Sequence, residues 1–346
     1  MTEFGSSPIE LRVDRLRELL GAAFEAAGVQ SVERERIIDA LIEAELHEVP
    51  SHGVLRVPGY LKAFRTGRYN AQADIRIVER SAVVSLIEGD GALGYLPTWL
   101  AMDSAARSAE REGIGIAGVR NIAEFGRAAY YAKELAQRGF VSLVSQNTPP
   151  LLGSPGSTRA THGNNPLAFA APGEDAPVFD AAFSPRSGGE LLRRKALGQD
   201  IPEDWGYTDE AGTPITDPAL AWNSVWPAVG GGKGFGLAVM VDLFAGVLTG
   251  SGNGPSIVRG LPQTGAFVMA LDPDVFGHGS RMDESFAAAT DAVRSSGGRW
   301  PGDRGRLAHA GHSAKGTIVV AEPTFNAARD AVSSLVNGLD LAESIA

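Results

Sequence analysis

The stretch GIGIAGV, residues 113–119, decides which α/β architecture this chain adopts. It contains the string G-x-G-x-x-G, which in a dinucleotide-binding loop follows a strand and opens a helix. In this chain the order is reversed, because a helical pattern precedes Gly113. The alternation of Ile114, Ile116 and Val119 is typical of a strand. We therefore predict that these glycines lie within a strand and that the fold is not a Rossmann fold.

Short runs rich in Val and Ile recur on both sides of this stretch, with the turn residues between them that are typical of strands. Helical patterns separate the runs, so we predict a mixed α/β core. The other predicted strands lie in segments 75–79, 82–89, 140–145, 166–172, 177–183, 266–271 and 317–321, and the helices lie around 98–112, 126–138, 187–198, 234–249 and 281–296.

Both ends of the chain have helical patterns. Apolar residues recur at three- and four-residue steps over residues 16–27, and Gly28 ends that pattern. A second helical pattern, with the apolar residues Ile37, Ile38, Leu41 and Ile42, runs on to His47. The segment after Pro323 is predicted to be helical as well. We expect this last segment to pack back on the N-terminal helices.

The composition excludes several classes of protein. With 346 residues, of which 44% are hydrophobic and 21% charged, the chain has the make-up of a globular protein. Its net charge of -10 disfavours binding to nucleic acid and to anionic lipid. No apolar stretch approaches the roughly 20 residues that span a bilayer, so a membrane protein is not expected. The absence of cysteine excludes disulfides and thiolate metal sites, and no secretory signal is recognised, so we predict a cytoplasmic protein.

Two further strings resemble known motifs without meeting their requirements. GGGKGFG, residues 230–236, lacks the Ser or Thr that a P-loop places after its lysine, so ATP chemistry is not indicated. His309 and His312 are three residues apart, but no carboxylate stands at ligand spacing nearby, and we predict a solvated loop there. We expect no metal site in this chain.

The segment SHGVLRVPGYL, residues 51–61, follows directly on a predicted helix. It places Arg56 four residues after His52, a spacing that gathers side chains on one side of a turn. An imidazole titrates near neutrality and exchanges a proton with a reacting oxygen, and the hydroxyl of Ser51 orients it. A guanidinium holds a carboxylate through two parallel hydrogen bonds. From these residues alone, a catalytic histidine and a structural, hydrogen-bonded histidine both remain open.

Five blocks of sequence resemble, in the same order, the non-Rossmann NAD(P)-dependent malate/L-lactate dehydrogenase family. That family includes ureidoglycolate, sulfolactate and diketogulonate oxidoreductases and cyclic imino-acid reductases. The resemblance extends from about Leu16 to about Asp303, and five blocks in order are specific where one is weak. The blocks are SHGVLRVPGYLKAFRTGRYN (51–70), THGNNPLAFAAP (161–172), VFDAAFS (178–184), IPEDWGYTDEAGTPITDP (201–218) and GGGKGFGLAVMVDLFAGVLTGSG (230–252).

The resemblance implies an α/β fold distinct from the Rossmann fold, with a helical lobe formed by both chain ends. It also implies a homodimer that binds NADPH or NADH and a small carboxylic acid. On this basis we divide the chain into a helical lobe for dimerisation and substrate binding, residues 1–75 plus 290–346, and an α/β cofactor-binding core, residues 76–289.

Residue by residue, the resemblance assigns catalysis to the first block. His52 stands at the position of the proton donor, Ser51 at that of its orienting partner and Arg56 at that of the substrate-carboxylate ligand. Asn165, a candidate substrate ligand, lies in a loop that usually has the sequence Gly-Thr-Asn-Pro and here is GNNP, so a threonine contact to the substrate is altered. Asp180 matches an acidic residue that relays charge or contacts the cofactor, and its structural alternative is a strand-end cap.

The resemblance assigns the cofactor to three segments. Lys233 and Gly234 match a Lys-Gly pair near the nicotinamide nucleotide, and Ala181 is a further candidate. Gly302 with Asp303 stands where Pro-Gly-Glu is usual. The structural alternatives are a solvated cation for Lys233 and a helix N-cap for Asp303.

Two departures from the family pattern affect the chemistry. In NIAEFGRAAYYA, residues 121–132, Glu124 replaces a histidine that several members use as acid/base. We expect Glu124 to favour a cationic substrate as a carboxylate, to replace the histidine as a neutral acid, or to point away and pair with Arg127. The second departure is HEVPSHG in place of Arg-Gly-x-x-Ser-His-Gly, which adds the negative charge of Glu48 near the site.

The leading hypothesis is hydride transfer between a nicotinamide and C2 of a small 2-oxo or 2-hydroxy carboxylic acid. One alternative is NADPH-dependent reduction of the C=N bond of a cyclic imino acid. Another is a nucleotide-binding member of the family that has lost catalysis. Retention of Ser51, His52 and Arg56 argues against this last alternative.

Overall fold

The computed structural model describes residues 8–196 and 198–336. In these two ranges the chain forms a seven-stranded mixed sheet with helices packed on it, and a two-stranded sheet made from its two ends. None of the described helices is both long enough and apolar enough to cross a membrane.

All eight strands predicted from the sequence are confirmed, and one strand near the N-terminus was not predicted. The described strands are β1 Pro8–Arg12, β2 Arg76–Glu79, β3 Val84–Glu88, β4 Ile114–Ile122, β5 Val141–Gln146, β6 Leu167–Ala170, β7 Val178–Ala181, β8 Thr264–Leu271 and β9 Thr317–Ala321. The large sheet has the order β2-β3-β4-β8-β5-β6-β7, in which β3 and β4 are parallel and the other described neighbours are antiparallel. A doubly wound parallel sheet is therefore excluded.

Most of the helices follow the predicted patterns as well. The described helices are α1 Val13–Ala26, α2 Ser31–Leu46, α3 Val57–Arg65, α4 Tyr95–Glu112, α5 Ala128–Gln137, α6 Gly188–Ala196, α7 Pro218–Ala221, α8 Gly232–Val241, α9 Met282–Ser295, α10 Asp303–Lys315 and α11 Glu322–Ser333. A π-helix, Asp242–Val247, continues α8. The sequence analysis did not predict α3, α7 and α10.

The stretch GIGIAGV forms most of β4, as predicted. Gly113 ends α4 in the left-handed conformation, with φ 79°, and the strand begins at the next residue. A Cβ on Gly115 would lie 1.9 Å from the carbonyl oxygen of Ala105 in α4. The glycine therefore allows α4 to pack directly on β4, which is a structural use of the G-x-G-x-x-G string and not a phosphate-binding one.

The two chain ends meet in one helical lobe. Strands β1 and β9 pair antiparallel, with Leu11 opposite Ile318. One buried apolar cluster joins α1, α2 and α3 to α11, and α11 contributes Phe325 to it. The C-terminal segment thus packs back on the N-terminal helices. The predicted domain boundary at residue 290 falls inside α9, and the division into two domains stays a prediction.

Candidate active site

Ser51, His52 and Arg56 lie in two short 3₁₀ turns, Pro50–His52 and Val54–Arg56, between α2 and α3. Ser51 Oγ lies 3.1 Å from His52 Nδ1. Arg56 Nε donates a hydrogen bond of 2.7 Å to the carbonyl oxygen of Ser51. The structure therefore brings these three predicted residues together, and the arginine itself holds the turn that carries the histidine.

The electrostatic surroundings of His52 determine its protonation state. Burial, followed by the positive charges of Arg56 and Arg127, lowers the pKa of His52 to about 3. His52 is therefore neutral near pH 7, a state that accepts a proton from a reacting hydroxyl. An anion bound to Arg56 offsets the positive charge of the guanidinium, so that this charge opposes protonation of His52 less strongly.

Helix α6 covers the same turn. A Cβ on Gly189 would lie 2.4 Å from the Cβ of Ser51, so only glycine lets the helix approach the serine this closely. The sequence analysis did not single out this residue. The sequence feature that could have pointed to Gly189 is the Gly188-Gly189 pair at the start of a predicted helix, because glycine is unfavourable in helices.

Glu124 faces the guanidinium of Arg56. Its Oε2 atom lies 3.5 Å from Arg56 Nη1, and the two side chains are 32% and 30% exposed. The predicted alternative, a pair between Glu124 and Arg127, is wrong, because Arg127 contacts other carboxylates. Glu124 thus lies beside the Ser51–Arg56 turn.

Asp180 lies at the edge of a buried ionic network that the sequence analysis missed. Its Oδ2 atom accepts the N–H of Ala129 at 3.0 Å, in the first turn of α5, and lies 3.5 Å from Arg127 Nε. Arg127 also contacts Glu43, at 3.3 Å, and Lys133 contacts Glu43 at 3.2 Å. Burial raises the pKa of Asp180, and Arg127 opposes that shift. No local spacing in the sequence signals this network, because each of its pairs joins residues more than 50 positions apart.

Asn165 holds the local backbone in place. It is fully buried and lies in the left-handed region, with φ 39°. Its Oδ1 atom accepts the N–H of Thr148 at 2.9 Å, and its Nδ2 atom donates to the carbonyl oxygen of Ala238 at 2.7 Å. Both polar atoms of the side chain are therefore engaged within the protein, and a contact of Asn165 with substrate stays a prediction.

The residues predicted to bind cofactor include the start of α8. Lys233 is exposed in the first turn and makes no ion pair with any described residue. A Cβ on Gly234 would lie 2.0 Å from the carbonyl oxygen of Val229, so the glycine is required by a close approach of the backbone. A cavity of about 270 Å³ lies beside this helix end, lined by Pro155, Trp226, Gly231 and their neighbours.

Two other predicted cofactor residues lie near β7. Ala181 ends that strand and is partly buried, opposite Leu167 of β6. A Cβ on Gly302 would lie 3.1 Å from Val178 Cβ, which places the start of α10 beside the same strand. Neither residue has a polar side-chain atom, so only their backbone groups are available to form hydrogen bonds with a ligand.

Asp303 is tied down by its neighbours. Its Oδ1 atom accepts from Arg294 at 2.7 Å and from Arg306 at 2.6 Å, and its Oδ2 atom accepts the backbone N–H of Trp300 at 3.1 Å. The hydrogen bond from Arg294, the largest cause, strongly lowers the pKa of Asp303. These contacts join α9 to α10, and a cofactor contact of Asp303 stays a prediction.

The HEVP segment faces α10. Glu48 has φ 55°, a left-handed conformation that favours glycine, and its carboxylate lies 3.5 Å from His312 Nε2. The ring of His309 lies 4.7 Å from that of His47. The loop predicted around His309 and His312 is therefore wrong, because both residues lie in α10 and pack against the end of α2.

The chain is similar over most of its length to known dehydrogenases. The family model for malate/L-lactate dehydrogenase matches residues 11–327. The malate dehydrogenase of Pyrococcus horikoshii is 32% identical over an alignment of 300 residues that covers 83% of each chain. The (2R)-3-sulfolactate dehydrogenase (NADP(+)) of Chromohalobacter salexigens is 33% identical over an alignment of 304 residues that covers 85% of this chain and 90% of that one.

A solved structure agrees with this relationship. The delta1-piperideine-2-carboxylate reductase of Pseudomonas syringae pvar. tomato has a TM-score of 0.84 to this chain at 26% identity, over 93% of this chain and 99% of its own. Sequence and fold both lead to the same relatives. This chain therefore belongs to the malate/L-lactate dehydrogenase family.

Proposed function

We propose that the chain is a nicotinamide-dependent oxidoreductase that acts on C2 of a small 2-hydroxy or 2-oxo carboxylic acid. The observation that carries this proposal is the adjacency of a neutral imidazole and a guanidinium in one turn. Interconversion of alcohol and ketone beside a carboxylate needs a group that exchanges a proton with the oxygen on C2, and a cation that binds the carboxylate. His52 and Arg56 supply these two groups. The relatives named as malate and sulfolactate dehydrogenases support the assignment.

His52 moves the proton in this scheme. Because Ser51 Oγ contacts Nδ1, the other ring nitrogen, Nε2, is the one that exchanges a proton with the substrate oxygen. A hydroxy acid held by Arg56 brings a negative charge beside the imidazole, which stabilises the imidazolium formed as the hydroxyl proton leaves. In the opposite direction the same imidazolium protonates the developing alkoxide.

The cofactor is NADPH or NADH, and the start of α8 fits a phosphate group. Lys233 is an exposed cation there, and the first N–H groups of the helix are free of helical partners. Gly230 and Gly231 have positive φ, and a Cβ on Gly230 would meet nothing within 4 Å, so the backbone before α8 is open to a ligand. When bound, the nicotinamide supplies or accepts the hydride.

A spectrophotometric screen tests the proposed function. We expect oxidation of NADH or NADPH by at least one 2-oxo acid in a panel that differs in the substituent at C3. The same cofactor should be reduced by the matching 2-hydroxy acid. Absence of turnover with every acid and with both cofactors would refute the proposal.

We infer a homodimer as well, and the exposed apolar residues indicate where it forms. Four apolar side chains are exposed on α8, on the π-helix that follows it and on the next residue. They are Leu237 (43%), Leu243 (45%), Val247 (52%) and Leu248 (66%). Such a concentration of exposed apolar side chains is typical of a subunit interface. This face lies outside the helical lobe to which dimerisation was first assigned. Sedimentation of the wild-type chain as a dimer and of the Leu248→Asp variant as a monomer would support this interface. A variant that sediments with the same mass as the wild-type dimer would exclude it.

A cytoplasmic location is kept as part of this proposal. It agrees with the chemistry, since free nicotinamide cofactors are consumed and regenerated within the cell. Localisation of the tagged chain by fractionation tests it directly.

A further inference from the structure

Glu124 places a carboxylate beside the cation that the proposed function assigns to the substrate. We propose that Glu124 is a specificity residue, which selects a monocarboxylic acid that also carries a cationic nitrogen and rejects one with a second anionic group. This inference rests on the proposed function for the role of Arg56, and it narrows the class of acid that the site accepts.

The geometry of the pair leaves both side chains accessible to a ligand. The 3.5 Å between Glu124 Oε2 and Arg56 Nη1 is longer than a close ion pair, and both side chains are about one third exposed. Arg56 Nε already donates to the carbonyl oxygen of Ser51, so the outer nitrogens of the guanidinium are the ones that remain for a ligand. Glu124 Oε1 has no hydrogen-bond partner among the described residues. A ligand that brings both an anion and a donor satisfies both side chains at once.

The backbone of Glu124 is held rigidly. Gln146, which is 2% exposed, accepts the N–H of Phe125 at 3.1 Å and donates to the carbonyl oxygen of Ala123 at 2.8 Å. The N–H of Gly94 donates to the carbonyl oxygen of Glu124 itself at 2.9 Å. The residues before and after Glu124 are thus bound to the core, and the side chain is presented to Arg56 from a pre-organised loop.

The cations that act on His52, and the lysine of the neighbouring ionic network, are each opposed by a carboxylate. Arg56 is opposed by Glu124, and the charge of Arg127 is opposed by Glu43 and Asp180. Lys133 is paired with Glu43 and contacts His47 at 2.6 Å. A substrate with two anionic groups therefore neutralises Arg56 with one group and meets the Glu124 carboxylate with the other, which is repulsive. A substrate with one carboxylate and one cationic nitrogen meets an attractive partner at each position.

Three probes that share one six-membered ring separate these cases. Pipecolate carries a carboxylate and a ring ammonium, cyclohexanecarboxylate carries the carboxylate alone, and cyclohexane-1,2-dicarboxylate carries a second carboxylate. Binding to the full chain is measured calorimetrically in the presence of NADPH or NADH, with which none of the three probes reacts. The readout is therefore a dissociation constant and is independent of turnover.

We expect pipecolate to bind about tenfold or more tightly than cyclohexanecarboxylate, and the dicarboxylate to bind more weakly than either. Glu124→Gln should bring the three dissociation constants to within about threefold of one another, because the amide keeps the shape and loses the charge. Glu79→Gln is the matched control, since it removes one exposed carboxylate from the edge strand β2 and should leave the ranking unchanged. Glu124→Asp, which keeps the charge, should retain the preference for pipecolate.

Two outcomes overturn the proposal. Equal binding of pipecolate and cyclohexanecarboxylate by the wild-type chain is one, and an undiminished preference in Glu124→Gln is the other. Turnover of 2-oxo acids without this charge preference leaves the proposed function standing and removes only the inference. A Glu124-dependent preference without turnover of any acid would leave the inference standing and would refute the proposed function.

Discussion

Glu45 Oε1 accepts the backbone N–H of Val54 at 2.7 Å, and the same atom lies 2.1 Å from the point that a Cβ on Gly53 would occupy. Glu45 belongs to the last turn of α2 and is 4% exposed. Its carboxylate therefore connects that helix to the turn that carries His52 and Arg56. The glycine at position 53 is explained by this contact, because any larger residue would displace the carboxylate.

We expect Glu45→Ala to lower the free energy of unfolding by about 1–3 kcal/mol, because it leaves the buried N–H of Val54 without an acceptor. The turnover number should fall too, since the turn that holds His52 loses its anchor. Glu45→Gln keeps an acceptor oxygen and should retain most of both properties. Urea unfolding and steady-state kinetics measure the two effects, and wild-type values for the alanine variant would show that Glu45 does not position the turn.

Two buried carboxyl groups should each contribute less to the stability of the chain as the pH rises above about 5. Glu33 is fully buried and neither carboxylate oxygen has a partner among the described residues. Burial raises the pKa of Glu33 to about 8 and that of Glu45 to about 7, from an ordinary value of 4.5. Because the folded state binds these protons more tightly than the unfolded state, each group lowers the stability by up to about 1.4 kcal/mol per pH unit between those values.

Glu33→Gln tests this pH dependence, because it removes one of the two titrations. Between pH 5 and pH 8, the change in the free energy of unfolding, measured by urea unfolding, should be more positive than in the wild-type chain by about 1–4 kcal/mol. Glu35→Gln, at an exposed position of the same helix, serves as the control and should behave as the wild type. An identical pH dependence in both variants would mean that Glu33 is not buried as an acid.

His52→Ala should lower the turnover number by about a hundred- to ten-thousand-fold, while cofactor binding stays within a few-fold, because only proton transfer is lost. His278→Ala, which removes an exposed loop histidine, is the control. Since the pKa of His52 is about 3 in the free protein, kcat/KM of the wild type should show no inflection from this residue near pH 6 to 7. Retained turnover in His52→Ala would remove His52 from the mechanism.

Arg56→Lys should affect both KM and the turnover number. An ammonium lacks the planar fork that binds a carboxylate, so KM should rise roughly tenfold or more. The lysine also lacks the Nε atom that binds the carbonyl oxygen of Ser51, so the turn that holds His52 loosens and the turnover number falls. Arg65→Lys, at the exposed end of α3, is the control. Unchanged constants in Arg56→Lys would show that Arg56 does not bind substrate.

Lys233→Ala should weaken cofactor binding by about 1–3 kcal/mol if the ammonium contacts a phosphate through a charge-assisted hydrogen bond. Fluorescence titration with NADH and with NADPH measures this, and a larger loss for NADPH would place the lysine at the additional phosphate. Lys62→Ala removes an exposed lysine of α3 and should bind both cofactors normally. Unaltered titrations of Lys233→Ala would exclude the contact.

Helices α10 and α3 are not predicted from the sequence for two different reasons. Helix α10 buries no residue completely, so its sequence has no apolar stripe and was interpreted as a loop around His309. Helix α3 begins with Val57, Pro58 and Gly59, which are typical of a turn. By contrast, β4 and α1 each bury one face, and the apolar period of each element predicts it from the sequence.

The sequence by itself determined the mixed α/β class, the rejection of the Rossmann loop at Gly113 and the grouping of Ser51, His52 and Arg56, because each depends on residues close together in the chain. Only the tertiary structure decided which charges meet. Arg127 lies 84 residues from Glu43 and pairs with it instead of with Glu124, while Glu124 faces Arg56. Ion pairs between distant residues depend on how helices and loops pack, and local spacing carries no information about that.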